Sequence, residues 1–311
     1  MKSILFIALL VGAVVPTTAQ TRGTYDFLRL DVSARAAALN GSFVSMSDDP
    51  NSIFYNPAAL STISRPQGSA SYLSHLLDVR AGSLAFAQEW EGVGPIGVGL
   101  VFIDYGSIVE TDESMNILGE LQARELALVA GWSAIVDEET MVGVNIKGIY
   151  SALASFRSAA VAADFGILYA IPSENLTLGA SLLNVGTQIN RYKDTQESLP
   201  IDLKVGITKR PEHLPVLLNL NFHKLTESQE TFLQRFMNFT FGAEFIMSDA
   251  VRLRVGYSNE KRKELKLGSS LGLAGFSLGG GIIYQQYLID YSYNSYGEIG
   301  SLHRFSFGVI L

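Results

Sequence analysis

Hydrophobic and polar residues alternate with a period of two along most of the chain from about Gly68 onward, as they do in a β-strand with two unlike faces. In the segment VRLRVGY, apolar residues alternate with Arg252 and Arg254, and in IDLKVGIT they alternate with Asp202 and Lys204. The same pattern recurs in about fourteen runs of roughly ten residues. The sequence therefore predicts an all-β protein.

The length of these runs and the position of their charges favour a transmembrane barrel over a soluble sandwich, whose strands also alternate. About ten residues is the length that a tilted strand needs to cross a bilayer. Charges in the middle of a strand fit a wet interior better than a protein surface alone. The candidate interior charges are Asp202, Lys204, Glu244, Arg252 and Arg254.

The predicted connections between strands fall into two classes by length. The short ones are Glu91–Gly94, Asp137–Glu139, Pro172–Glu174, Pro211–Leu214, Ser248–Ala250 and Gln285–Gln286. The long ones are Gly106–Gln122, Leu153–Ser158, Thr187–Pro200, Leu225–Met237, Asn259–Ala274 and Gly297–Ser301. Apart from the first connection, at Leu77–Asp78, the classes alternate like the short periplasmic turns and long extracellular loops of outer-membrane barrels. We expect a closed, antiparallel, 14-stranded transmembrane β-barrel over residues 67–311.

The first residues predict export. Lys2 precedes the apolar run ILFIALLVGAVV, which is followed by small residues at Thr17 and Ala19, so residues 1–19 are expected to be a cleaved signal peptide. A single membrane anchor is the alternative, but it requires about 20 apolar residues, and this run is shorter. We expect a chain of the bacterial outer membrane that contacts outer-membrane lipid.

Residues 20–66 differ from the strands and predict a short helical plug inside the barrel. SARAAALNG predicts a helix that Ser33 caps and Gly41 ends. Two Asx-Pro steps in DDPNSIFYNPAAL predict two consecutive one-turn helices, because Asp or Asn caps a helix that begins with proline. The residues of this plug motif are Asp48, Asp49, Pro50, Asn56, Pro57 and Ala58.

These motifs also resemble those of known families of outer-membrane proteins. The signal peptide, the N-terminal segment with NPA at Asn56–Ala58 and the fourteen strands resemble the FadL-type outer-membrane barrels. More closely, YDFLRLDVSARAAALNGSFVSMSDDPNSIFYNPAAL is similar to the opening of the PorV/PorQ family. The segments RVGYSNEKRKELKLGSSLGLAGFSLGGGI and LPIDLKVGITKRPEHLPV look most like its PorQ branch.

The resemblance implies an integral outer-membrane component of a type IX secretion system. It implies a non-enzymatic anchor in the cell-surface attachment complex, with a PorZ-like surface protein as partner. The alternative is a FadL-like channel for a hydrophobic small molecule, which would need an apolar pocket and a route past the plug. Gly279–Gly281 are candidates for a kink in the wall of such a channel. The charged interior faces favour the anchor.

The sequence gives little support to catalysis, cofactors or nucleic acid. GVGPIG matches a dinucleotide fingerprint, but Pro95 lies inside it and a strand rather than a helix follows. The four histidines are scattered, there is no cysteine, and Asp48 with Asp49 is a weak calcium motif. The net charge of −7 argues against nucleic acid. We expect no enzyme, no cofactor and no metal.

Two predicted loops are candidates for surface contacts. NEKRKELK carries Lys261, Arg262 and Lys263, which suit a solvated loop or a contact for lipopolysaccharide phosphates or a partner protein. ESQETFLQRFMNF has apolar residues near helical spacing, so it predicts either a short helix over the barrel mouth or the base of the next strand.

Overall fold

The computed structural model describes residues 24–74, 79–112, 114, 116–193, 196–227, 231–265 and 272–311. The predicted signal peptide and the first connection, at Leu77–Asp78, lie outside the described residues. Within the described ranges, no helix combines the length and the apolar character that a bilayer crossing demands.

Fourteen antiparallel strands form a closed barrel, as the sequence predicts, and each pairs with its neighbours in the chain until β14 pairs with β1. The strands are β1 Gln67–Ser74, β2 Arg80–Trp90, β3 Gly94–Thr111, β4 Ile117–Ile135, β5 Thr140–Leu153, β6 Phe156–Ile171, β7 Leu176–Asn190, β8 Asp202–Lys209, β9 Val216–Phe222, β10 Phe239–Ile246, β11 Val251–Ser258, β12 Phe276–Tyr284, β13 Tyr287–Ser295 and β14 Ser301–Ile310.

The helices are short. The α-helices are α1 Ala34–Ala38, α2 Phe232–Arg235 and α3 Asn259–Leu265, and the 3₁₀ helices are η1 Asp26–Arg29, η2 Pro50–Phe54, η3 Pro57–Thr62, η4 Pro172–Glu174 and η5 Gly297–Ile299. The sequence leaves open whether residues near Phe232 form a helix or a strand base, and the structure shows the helix α2, capped by Thr231.

The strands place polar residues inside the barrel and apolar residues outside. On β5, Ile146 faces outward with 71% of its surface exposed, whereas its neighbours Asn145 and Lys147 face inward with 1% and 3% exposed. This is the reverse of a soluble protein and suits an apolar solvent around the barrel. Around the barrel every described strand pairs with two neighbours, and along these paired stretches the backbone groups can hydrogen-bond without water, as a bilayer requires.

The two ends of the barrel differ. All the predicted short connections lie at one end, together with the start of β1 and the end of β14, and we call this the short-turn end. Trp90, Trp132, Tyr284 and Tyr287 expose their rings near this end, where an aromatic girdle is expected. The opposite end, the long-loop end, carries α2 and α3 in the connections between Phe222 and Phe239 and between Ser258 and Phe276.

Two predicted long loops are wrong, because the strands continue through them. β3 and β4 pair as far as Thr111 and Ile117, so most of the predicted loop Gly106–Gln122 is a hairpin. A β-bulge after Asp104, where Gly106 has a φ of +74°, shifts the register and hides the alternation. Likewise, only Ala154 and Ser155 separate β5 from β6, and Ala154 takes the left-handed conformation that a tight turn requires.

Candidate functional site

Residues 24–66 lie inside the barrel, and we call them the inner segment. The helix α1 packs against β11–β14, while η3 packs against β3–β6 on the opposite wall. Leu39, Phe43, Ile53 and Leu60 are completely buried there. A segment of this length cannot bury a core alone, but it fills the interior of a barrel whose inward faces it contacts.

Three side chains cap the short helices of the inner segment at the positions that the sequence predicts. Ser33 accepts a hydrogen bond from the backbone N–H of Ala36, Asp49 from Asn51, and Asn56 from Ala58.

Asn56 also ties the inner segment to the wall, because its amide donates to the carbonyl oxygens of Val44 at 2.8 Å and of Ile167, on β6, at 3.0 Å. Since Asn56 is fully buried, each of these bonds satisfies a group that water cannot reach.

Glycines on the inner face of the wall allow this close approach. A Cβ at Gly143 would lie 2.4 Å from the carbonyl carbon of Pro57, and one at Gly166 would lie 2.1 Å from Oδ1 of Asn56. At Gly279 it would lie 2.4 Å from Cβ of Ala38. The inner segment therefore rests directly on the backbone of the wall at these positions.

The glycine run on β12 makes room for neighbouring side chains and leaves the pairing of the strand unbroken. Gly279 faces Ala38, and a Cβ at Gly281 would lie 2.3 Å from Oδ1 of Asp290. The pairs of β12 with β11 and with β13 are continuous from Ser277 to Ile282. The wall therefore has no gap in its pairing at Gly279–Gly281, the position where a kink is predicted.

A buried ion network joins the inner segment to β10, β11 and β13. Glu244 accepts from Arg35 Nη2 at 2.9 Å and from Arg254 Nε at 2.5 Å. Arg35 also contacts Asp49 at 3.1 Å, and Arg254 contacts Asp290 at 2.5 Å. Glu244 is 3% exposed, so breaking any member of this network leaves a charge in a poorly solvated interior.

The other charges that the sequence predicts in the interior, Arg252, Asp202 and Lys204, lie outside this ion network. Arg252 shares the inward face with Arg254, but its guanidinium turns to the backbone carbonyls of Ser248 and Val251 at the short-turn end and does not join the network. Asp202 is buried and accepts from the backbone N–H of Lys224 at 2.6 Å. Lys204 Nζ lies 3.6 Å from Asp202.

A second buried network crosses β5, β6 and β7. Lys147 Nζ lies 2.9 Å from Asp164 and donates to Asn184 at 2.7 Å. Asn145 donates to Asp164 and to the carbonyl oxygen of Ile53, each at 2.8 Å. The network fixes the bulge of β7 at Asn184 and holds η2 against this wall.

A polar cavity of about 790 Å³ opens at the long-loop end, and we call it the vestibule. Its floor includes Asp31 and Asn40 of the inner segment, and Lys261 of α3 contacts both, at 3.1 and 3.2 Å. Of the three basic residues that the sequence suggests for an outward contact, Lys261 thus points inward and Arg262 donates to the carbonyl of Gly272. Lys263 is exposed.

Glu260 links α3 to the connection that follows β9. Its carboxylate contacts Nε2 of His223 at 2.8 Å and the ammonium of Lys224. Burial alone would raise the pKa of Glu260, but the hydrogen bonds and charges of His223 and Lys224 outweigh it and hold that pKa below its ordinary value. Several of the charged groups that line the vestibule therefore already neutralise one another.

An apolar cavity of about 520 Å³ lies on the outer surface and not in the interior. The outward side chains of Leu84, Val98 and Phe307 line it, so it faces lipid. The adjacent wall is continuous, because β2 and β3 pair without a break from Arg80 and Asp104 to Trp90 and Gly94.

The weak metal motif of the sequence forms no metal site among the described residues. No three His, Cys, Asp or Glu side chains there are grouped to hold a metal ion. Asp49 caps η2, and Asp48 accepts from Gln67 at 2.7 Å, so both carboxylates have structural partners. The ion pairs of Asp31 and Arg35 could not be predicted from the alternation of the strands, because both residues belong to the inner segment.

Comparisons with family models and with curated proteins find no match. Solved structures share the fold. The toluene transporter TbuX of Ralstonia pickettii is 11% identical with a TM-score of 0.62, over 90% of this chain and 98% of that one. The CymD monoaromatic hydrocarbon channel is 10% identical with a TM-score of 0.60, over 93% and 99%. The toluene transporter TodX of Pseudomonas putida is 12% identical with a TM-score of 0.57, over 94% and 98%.

A FadL homologue of Pseudomonas aeruginosa, 11% identical, also matches 89% of this chain and 97% of its own, with a TM-score of 0.53. Identities this low establish the architecture alone. The chain has the fold of the FadL-like outer-membrane barrels.

Proposed function

We propose that this chain is a closed, non-enzymatic platform in the outer membrane that anchors a surface protein of a type IX secretion system. The observation that carries the proposal is the packed interior, in which the inner segment rests on wall glycines and joins a buried ion network of three strands through the pair of Arg35 with Glu244. The resemblance of Tyr25–Leu60 to the PorV/PorQ family supplies the secretion system and a PorZ-like partner.

The cost of opening the interior supports a closed barrel. Displacing the inner segment would separate Arg35 from Glu244 and Asn145 from Ile53, and it would expose the completely buried Leu39 and Ile53. Separating one partner from a buried ion pair typically costs about 3–5 kcal/mol. This free-energy cost is compatible with a scaffold whose inner segment stays in place. In a channel, the inner segment would have to be displaced at the same cost for each solute that passes.

The vestibule supports contact with a protein more than entry of a hydrophobic solute. Its floor and walls carry the paired charges of Asp31, Lys261, Glu260 and Lys224. An apolar molecule that entered here would remove water from these groups without replacing their hydrogen bonds, which is unfavourable. A protein surface can supply polar partners in return.

A channel for a hydrophobic small molecule is the second candidate, and the comparisons favour it. TbuX and TodX are described as toluene transporters and CymD as a monoaromatic hydrocarbon channel, and each shares this architecture over nearly its whole length. In this chain a route for a solute through the barrel would require the inner segment to move, since the described wall beside the apolar cavity on the outer surface is continuous.

Purification of the tagged protein from its native outer membrane in a mild detergent tests the two candidates together. Mass spectrometry of the eluate would identify both proteins and bound small molecules. The platform predicts a surface-exposed protein at a stoichiometry near that of the barrel. Recovery of a hydrophobic small molecule without any such protein would contradict the platform and support the channel. An unrelated tagged outer-membrane barrel, purified in parallel, controls for nonspecific capture.

A further inference from the structure

The hairpin formed by β3 and β4 extends beyond the apolar band of the barrel at the long-loop end. On the outward face, Phe102 and Leu128 are exposed apolar residues within that band. Next come Asp104 and Arg124, which form an exposed ion pair at 3.0 Å and mark the end of the apolar surface. The two strands remain paired from Ser107 and Gln122 to Thr111 and Ile117, so the hairpin projects into water.

Both edges of this projecting hairpin lack a described neighbouring strand. The pairing of β3 with β2 ends at Asp104. The pairing of β4 with β5 ends at Ala123, after which Ala154 donates one further backbone hydrogen bond to Gln122. Beyond these points the described residues form a two-stranded ribbon, and its open edges present unpaired backbone donors and acceptors.

The ribbon combines exposed apolar residues with one sign of charge. Val109, Ile117 and Leu118 are 53%, 74% and 63% exposed. Segment 106–122, GSIVETDESMNILGELQ, contains four acidic residues and no Lys or Arg. An isolated two-stranded hairpin is only marginally stable in water, so a third strand would stabilise it.

We propose that the two described strands of this ribbon, residues 106–112 and 116–122, are the docking element of the chain and that its occupant is a basic edge strand of a partner protein. The partner strand would extend the sheet through backbone hydrogen bonds, while its Lys or Arg side chains meet the acidic residues. The inference rests on the proposed platform function and names its interface.

The charge of the ribbon selects this occupant over two others. Lipopolysaccharide phosphates and a second copy of this chain would both bring negative charge to Glu110, Asp112 and Glu120, and like charges repel. A neutral strand would gain the backbone hydrogen bonds without the electrostatic attraction. A basic strand gains both, and its binding is weakened by salt.

A defined peptide tests the proposal without knowledge of the partner. The probe is a fluorescent, end-capped peptide of seven alternating Lys and Val residues, and fluorescence anisotropy measures its binding to the full-length protein in detergent. Two matched peptides serve as controls: a Glu-Val peptide of the same length, and the Lys-Val peptide with an N-methyl group at every residue, which removes the backbone N–H donors from both of its edges.

Two protein variants test whether the Lys-Val peptide binds at the ribbon. The first replaces residues 106–122 with Asn-Gly, a favoured two-residue hairpin turn. The second, Glu110→Gln with Glu120→Gln, keeps both edges and removes two charges. We expect saturable binding of the Lys-Val peptide to the wild-type chain, loss of binding to the first variant, and about tenfold weaker binding to the second.

The outcomes separate this inference from the platform function. No binding by the wild-type chain, equal binding by the shortened variant, or equal binding of the N-methylated peptide overturns the ribbon as a docking site. If the peptide behaves as expected but purification from the native membrane yields no protein, the platform fails while the ribbon stands. If a protein co-purifies equally well with the shortened variant, the platform stands and the ribbon fails.

Discussion

Gly143 and Gly148 lie on the same strand, five residues apart, yet only one of them is required for packing. A Cβ at Gly143 would meet the backbone of Pro57, whereas one at Gly148 would meet nothing within 4 Å. The difference arises because the inward face of β5 carries the inner segment and the outward face does not.

Gly143→Ala is therefore expected to destabilise the barrel and loosen the inner segment. Overpacking against a fixed backbone typically costs about 1–3 kcal/mol. Urea unfolding of the detergent-solubilised protein measures the cost, and limited proteolysis reports on residues 24–66. Gly148→Ala is the matched control and should leave both unchanged. Equal behaviour of the two variants would mean that the inner segment does not rest on this wall.

Glu244→Gln should be strongly destabilising, because it leaves Arg35 and Arg254 without their shared carboxylate. The expected loss in the free energy of unfolding is about 3–5 kcal/mol. Arg252→Gln is the control on the neighbouring strand. Its guanidinium contacts only exposed backbone carbonyls, so about 1 kcal/mol or less is expected. A small effect of Glu244→Gln in the same unfolding experiment would argue that water reaches the network.

At this scale the sequence indicates which residues face inward but not which of them meet. Alternation places Glu244 and Arg254 on the inner face, and the structure confirms this. Arg35, the second arginine that contacts Glu244, lies in the inner segment, 209 residues away in the chain, and no local pattern links the two. The caps of Asp49 and Asn56 could be predicted because a helix start needs only neighbours in the chain.

Among the secondary-structure elements, α3 is held in place by charges at its first turn. Lys261 contacts Asp31 in the inner segment, and Glu260 contacts His223 and Lys224 after β9. The helix thus connects one outer loop to another and to the floor of the vestibule, which makes it sensitive to the ionisation of Glu260.

The pH dependence of α3 follows from the lowered pKa of Glu260. A carboxyl whose pKa is lower in the folded chain contributes stability above its unfolded pKa, which is 4.5, and that contribution declines as the pH falls below this value. We expect the amide hydrogens of α3, corrected for intrinsic exchange, to be equally protected down to about pH 5 and less protected below it. Hydrogen exchange with mass spectrometry measures this.

Glu260→Gln should lower the protection of α3 near neutral pH and remove its decline in acid. Lys263→Gln, on the same helix and exposed, should leave the profile of the wild type unchanged. If Glu260→Gln retained the full acid-dependent decline, the titrating group would be a different one and the contact with Lys224 would not hold the helix.

Secondary-structure elements were predictable where the alternation is uninterrupted. The prediction of a loop at Gly106–Gln122 failed because a bulge interrupts the alternation there. The six short turns follow directly from the ends of regular strands. The bulge at Gly106 breaks the alternation of β3, so the hairpin beyond it resembles a loop in sequence. The charged run at Asn259–Leu265 also resembles a loop, but tertiary contacts of Glu260 and Lys261 stabilise it as a helix.

At the scale of the whole molecule, the barrel is closed and the inner segment packs against its inner wall. The strand number and closure were predictable because run length, run count and turn alternation all indicate the same architecture. Whether the interior opens was not predictable, since it depends on how tightly residues 24–66 pack against the wall. The packing, and not the fold that is shared with the transporters, separates a platform from a channel.

A reversible cross-link between the inner segment and the wall tests that distinction most directly. The chain has no cysteine, and the hydroxyls of Ser61 and Ser133 lie 2.8 Å apart, so Ser61→Cys with Ser133→Cys can form a disulfide that joins η3 to β4. The measurement compares the oxidised and reduced protein in cells that carry it in their outer membrane, by recovery of the co-purifying surface protein and by uptake of toluene into the cells.

The platform predicts full recovery of the surface protein in both states and no protein-dependent toluene uptake in either. Uptake of toluene that appears on reduction and disappears on oxidation would contradict the closed platform, because it would show that the inner segment moves to admit a hydrophobic solute. Ser61→Cys alone, which cannot form the cross-link, controls for the effect of the reductant.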